Sequence, residues 1–174
     1  MKKAEAIKQA SMPQPVQQVK KVEGTGSVWN TNSYHWEEKS VNKWAEEKLR
    51  AVLSGFKYKW NDAEMIISEI KAFKGESSVS IRKGKKIVAY DYHITLAWQI
   101  DMKDKADGAV VATAKGEYEL PEVSNEEDDW EIRITVGEDK QSIHKMLEQL
   151  IKSFAPKDLK AAIRKDFVEE LMKK

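Results

Sequence analysis

Between Lys86 and Asp101 the chain alternates without a break. Val88, Tyr90, Tyr92, Ile94, Leu96, Trp98 and Ile100 fall on one side, and Ile87, Ala89, Asp91, His93, Thr95, Ala97 and Gln99 on the other. Successive side chains of an extended backbone point to opposite faces, so a run of period two reads as a long β-strand and gives no helical stripe. One face is apolar and bulky and the other semi-polar, which predicts an antiparallel sheet covered on one side.

The flanks continue the theme. Phe56, Tyr58 and Trp60, a run from Met65 to Phe73, and then Ser77, Val79 and Ile81 read as strands and hairpins up to a turn at Gly84. Past the Asp107-Gly108 turn, Val110, Ala112, Ala114, Gly116, Tyr118 and Leu120 alternate again. Pro121 is expected to stop that strand, because proline offers no N–H to a ladder. An acidic loop, Glu126 to Asp129, leads to a last strand carrying Trp130, Ile132, Ile134 and Val136.

Helical spacing brackets the sheet. Val41, Trp44, Ala45, Leu49 and Val52 follow an N-cap at Ser40 and end at a C-cap, Gly55. Ile143, Met146, Leu147, Leu150, Ile151 and Phe154 form a second amphipathic set, and Leu159, Ala162, Ile163, Phe167 and Leu171 a third. Pro156, between them, is expected to break or bend the helix. The predicted class is α+β: an N-terminal helix, a meandering antiparallel sheet of about four strands, and C-terminal helices packed on one sheet face.

Residues 1–27 contain Pro13, Pro15, Gly24 and Gly26 with little periodic apolar surface, and read as a flexible N-terminal lead. The folded domain is expected to span 28–174, beginning where Trp29, Tyr34, Trp36 and Trp44 crowd together. Thirty Lys and Arg against 29 Asp and Glu leave a net charge of +1, which argues against nucleic acid as the main partner. With 41% hydrophobic residues there is material for a core, and with no Cys there are no disulfides or thiolate metal ligands. No window approaches the roughly 20 apolar residues of a membrane helix. A soluble, cytoplasmic monomer with no cofactor is expected.

The three histidines, His35, His93 and His144, form no metal-binding pair on a helix face, and Gly24-Thr25-Gly26 lacks the Lys-Ser/Thr ending of a phosphate loop. Acidic pairs such as Glu46-Glu47, Asp128-Asp129 and Glu169-Glu170 read as solvated charge. No nucleophile, base and orienting group come together, so no enzymatic activity is expected.

Two segments stand apart. Arg82-Lys83-Gly84-Lys85-Lys86 sets four cations around one glycine at a hairpin tip, where they either guard the sheet edge or project a positive field at a partner. Asn30-Thr31-Asn32-Ser33-Tyr34-His35-Trp36 sets amides and rings ahead of the first helix, as a binding anchor or as a staple of helix to sheet.

Together, in this order and at this spacing, the two segments resemble the N-terminal domain of the Aha-type activators of the heat shock protein 90 ATPase. That family carries Asn-x-Asn-Asn-Trp-His-Trp before its first helix and Arg-Lys-Gly-Lys in its sheet. Asn30, Asn32, His35 and Trp36 match the first motif, Ser33 and Tyr34 depart from it, and Arg82, Lys83, Gly84 and Lys85 match the second. The similarity continues through Trp44, Gly75, Lys86-Ile87, Pro121-Glu122-Val123 and the closing helices, over about Val28 to Lys174.

The resemblance implies a co-chaperone that binds the chaperone's middle domain, with its N-terminal domain a second candidate contact. It would release the loop holding the chaperone's catalytic arginine and favour the closed dimer. It makes Glu76 a contact position, and Ile87 and Ala89 fall just after the tip on the semi-polar strand face, where a partner could cover them. Tyr34 keeps a ring where the family has Trp. The competing class is a nucleic-acid or polyanion binder that uses the basic tip with nearby aromatics.

Overall fold

The computed structural model describes residues 36–137 and 145–174. In chain order these form β1 (Glu37–Ser40), α1 (Asn42–Ser54), β2 (Lys57–Trp60), β3 (Ala63–Arg82), β4 (Lys85–Lys103), β5 (Val110–Ser124) and β6 (Arg133–Val136), followed by a helical run over residues 145–172. The strands make one antiparallel sheet of order β1-β3-β4-β5-β6, with β2 also pairing to β3. Sheet, first helix and C-terminal helix occur as expected, with six strands in place of about four. The short β2 matches the Phe56 to Trp60 run, whereas β1 lies outside the expected strands.

The Met65 to Phe73 run and the Ser77 to Ile81 run prove to be one strand of 20 residues, against 19 in β4. Their pairing shows why the first run alternates poorly. Trp98, Leu96 and Ile94 sit two apart on β4, yet their partners Ile67, Ile70 and Phe73 sit three apart on β3. Two bulges each add a residue, turn the facing parity over and then restore it. Farther along, Gly75 has φ +150, and a Cβ there would lie 2.1 Å from the Asp91 carbonyl oxygen and 2.5 Å from the Tyr92 ring. Only glycine lets the Tyr92 ring lie across the strand.

Pro121 does not end β5. Ile94 pairs with Leu120 and Tyr92 with Val123, so the proline falls in a bulge. β6 pairs with β5 only from Gly116 to Glu119, leaving no strand among the described residues beside Pro121 on that side. The missing N–H therefore breaks no ladder bond. Trp130, expected in the last strand, lies in the preceding loop instead. It is buried, its indole N–H donates to the Ser124 carbonyl at 2.9 Å, and the Arg164 guanidinium sits 4.5 Å over its ring. The Asp128-Asp129 pair is tied to the C-terminal helix, Asp129 by Lys160 at 2.8 Å and the Asp128 carbonyl by Arg164.

Ser40 does not cap α1; it pairs with Ser78 as the last residue of β1. The helix start is joined to β3 instead. The Val41 N–H donates to the Ser77 carbonyl at 3.1 Å, and the Ser77 N–H donates to Asn42 Oδ1 at 2.6 Å. Gly55 does take the C-cap position.

The C-terminal run does not break at Pro156. Residues on both sides keep helical dihedrals, and π-helical turns occupy Leu150–Phe154 and Arg164–Val168. In the first of these turns the Ala155 N–H reaches back to Leu150, skipping Ile151. The next donor would be Pro156, which has none. The Ile151 carbonyl, orphaned inside the core, accepts instead from the Tyr118 hydroxyl at 2.7 Å. Burial holds that phenol far above its usual range.

The helix thus keeps one buried stripe, Leu147, Leu150, Ile151, Ala155, Leu159, Ile163, Phe167 and Leu171. It packs with Ala45, Leu49 and Leu53 of α1 against the bulky face of β4. Phe167 meets Tyr90 and Tyr92 edge-on and stacks with Trp44. Ile143 and His144 lie outside the described residues.

Candidate partner-binding surface

The β3–β4 hairpin closes in a two-residue turn, with Arg82 opposite Lys85 and φ of +50 at Lys83 and +75 at Gly84. Two successive positive φ values suit the twist of a tight hairpin, and glycine in the second place relieves the strain. Arg82, Lys83, Gly84 and Lys85 are all exposed. None of the three cations has an ion pair among the described residues. Lys86 departs from the expectation of four projecting cations. It lies opposite the buried Ile81 on the helix-facing side, half-buried, and its ammonium donates to the Met172 carbonyl at 2.8 Å.

On the opposite face, Ile87 is 46% exposed and Ala89 is exposed too. The register continues this face across the sheet. Ser80 lies opposite Ile87, Ser78 opposite Ala89 and Glu76 opposite Asp91 on β3, while β1 sets Glu38 beside Ser80 and Ser40 beside Ser78. On the far side, Asp91 pairs with Ser124 of β5. Glu38, Glu76, Asp91, Glu122 and Glu126 are among the residues that line an open hollow of about 300 Å³ here. Ser77, which also lines it, accepts a 2.9 Å hydrogen bond from the Tyr92 hydroxyl, a phenol held above its usual range chiefly by burial.

One surface therefore runs from three free cations, over an apolar step at Ile87 and Ala89, to a hollow lined with carboxylates. Sequence reading found the tip, the step and Glu76 but not the hollow. Its acids come from β1, β3, β4, β5 and a loop, and no spacing along the chain announces that they meet. Among the described residues no group of three or more His, Asp or Glu side chains is arranged to hold a metal ion. His93 lies farther along the same face, Nδ1 3.3 Å from the Pro121 carbonyl and Nε2 3.5 Å from the Glu119 carboxylate.

Trp36 is 58% exposed. Because Glu37 pairs with Ile81, the chain joins the sheet beside the tip, next to Arg82. Asn30, Asn32, Tyr34 and His35 lie outside the described residues.

The model of the family "Activator of Hsp90 ATPase, N-terminal" matches residues 38–174. The chain belongs to that family. It is 35% identical over 108 residues to the bovine "Activator of 90 kDa heat shock protein ATPase homolog 2", a match covering 61% of this chain and 40% of the relative. Yeast (Saccharomyces cerevisiae) "Hsp90 co-chaperone HCH1" is 27% identical over 109 residues, covering 59% of this chain and 70% of the relative. Among solved structures, Aha-1 from Plasmodium falciparum superposes with a TM-score of 0.61 at 28% identity, over 78% of this chain and 88% of that one. The chain thus spans less than half the length of the bovine relative. No helix among the described residues is long and apolar enough to cross a membrane.

Proposed function

We propose that this chain is a co-chaperone without catalytic activity of its own, which docks on the middle domain of heat shock protein 90 and stimulates its ATPase. The observation that carries the reading is the contiguity of Arg82, Lys83 and Lys85 with Ile87, Ala89 and the carboxylate hollow, on the sheet face that the described helices do not cover. A surface that changes sign across an apolar step suits a folded partner of complementary pattern and fixes its orientation. A polyanion would be held at the tip and repelled at the hollow, which disfavours the nucleic-acid alternative.

In this reading Ile87, Ala89 and Glu76 supply docking, Gly84 lets the turn form, and the three tip cations act on the loop that carries the chaperone's catalytic arginine. Asn30, Asn32, Tyr34, His35 and Trp36 act on its nucleotide cycle. Residues 28–174 form the binding domain, with 1–27 a lead outside it, and the protein works as a cytoplasmic monomer.

Titration calorimetry with the chaperone's middle domain, run beside single-stranded RNA at two salt concentrations, tests the proposal. Binding to the middle domain that persists at the higher salt, together with increased ATP hydrolysis by the full chaperone, is the expected result. RNA binding with a steep salt dependence and no effect on hydrolysis would sink it.

A further inference from the structure

Lys86 is the one cation of the Arg82 to Lys86 segment that turns inward. The last carbonyls of a helix lack intrahelical donors, and this end of the helix is the negative end of its dipole. In the last described turn Lys173 N–H goes to Glu170 and Lys174 N–H to Leu171. Lys86 Nζ donates to the Met172 carbonyl of that turn at 2.8 Å. The same turn is held from the other side, where the Lys174 ammonium sits 4.5 Å over the Trp44 ring and Trp44 stacks on Phe167. The base of the basic tip is thereby tethered to a helix end that is itself packed on α1.

We infer that Lys86 is a positioning residue: by latching the start of β4 to the C-terminal helix, it sets the direction in which Arg82, Lys83 and Lys85 are presented. Among the described residues no side-chain hydrogen bond or ion pair holds the three tip cations against rocking. The inward bond two residues past the turn supplies that resistance. The inference rests on the proposed function for its consequence, a dependence of stimulation on Lys86, but the latch itself can be measured without any partner.

Hydrogen exchange on the full free chain tests the latch in Lys86→Met, which keeps the aliphatic stem and loses the donor. Amide exchange over residues 82–87 and in the last helical turn is expected to speed up about five-fold, with the thermal midpoint nearly unchanged. Lys85→Met removes the same charge from the same tip without touching the helix, and its exchange should match the parent. With the chaperone present, Lys86→Met should lower maximal stimulation at least two-fold while the dissociation constant changes less than two-fold, and Lys86→Arg should restore both exchange and stimulation. Unchanged exchange in Lys86→Met, or an equal rise in Lys85→Met, overturns the latch. Faster exchange with unchanged maximal stimulation overturns the positioning role. Failure of the parent chain to stimulate the chaperone would overturn the proposed function and with it the role assigned to the latch, leaving exchange to decide whether the tether exists.

Discussion

Ile87 and Ile94 are the same side chain seven residues apart on one strand, and they have opposite environments. Ile94 has no exposed surface and lies in the core between sheet and helices, whereas Ile87 is 46% exposed on the opposite face. An odd separation puts them on opposite sides of β4. Among the described residues the helices cover only one side, so the strand's inner face supplies cohesion and its outer face carries the proposed contacts. Substitutions on the two faces should therefore separate stability from function.

The largest effect is expected inside. Ile94→Ala should cost about 3 kcal/mol, since it empties a fully packed site. That corresponds to a fall in thermal midpoint of roughly 6–12 °C. Calorimetry of the variant checks it, and a drop under 2 °C would erase the contrast between the faces. Tyr118→Phe comes next, because it leaves the buried Ile151 carbonyl without its donor. A loss of about 2 kcal/mol is expected, roughly 4–8 °C. A neutral result would mean that a water enters and replaces the hydroxyl.

On the outer face the expectations reverse. Replacing Arg82, Lys83 and Lys85 together by Ala should leave the midpoint within about 2 °C, these side chains being exposed, and should reduce stimulation of the chaperone ATPase several-fold, by more than it weakens binding. Steady-state ATPase at saturating protein decides it, and full stimulation would reduce the tip to surface charge. Ile87→Ala should also spare the midpoint and weaken binding about five-fold, as expected for a partly buried aliphatic contact; calorimetric titration measures it. The smallest change is expected from deleting residues 1–27, which should shift the midpoint by less than about 3 °C. A larger shift would show that the lead packs on the domain and that the bare face is not the only surface in use.

Much of this was legible in the residues. The alternation in β4 assigned Ile87 and Ala89 to one face and Ile94 to the other. The glycine between cations located the tip, and helical spacing found both the first helix and the C-terminal helix. The misreadings share a cause. Pro121 and Pro156 carry strong local signals against continuation, yet each falls where the donor it lacks is not needed, one at a bulge without an outer neighbour and the other after a π-helical turn with Tyr118 standing by. Ser40 has a capping side chain, but pairing with β3 claimed it for a strand.

Periodicity is a property of neighbours along the chain, set by backbone geometry and by the sterics of adjacent side chains. By itself it determined that this protein would be a one-side-covered antiparallel sheet with a basic turn at one end. Register and docking belong to segments far apart in sequence, and packing in three dimensions chooses among many pairings that satisfy the same local pattern. Only the tertiary structure could therefore decide that Glu38, Glu76, Asp91, Glu122 and Glu126 share one hollow. It also decided that of four cations around Gly84, three face the solvent while Lys86 is held by the helix end.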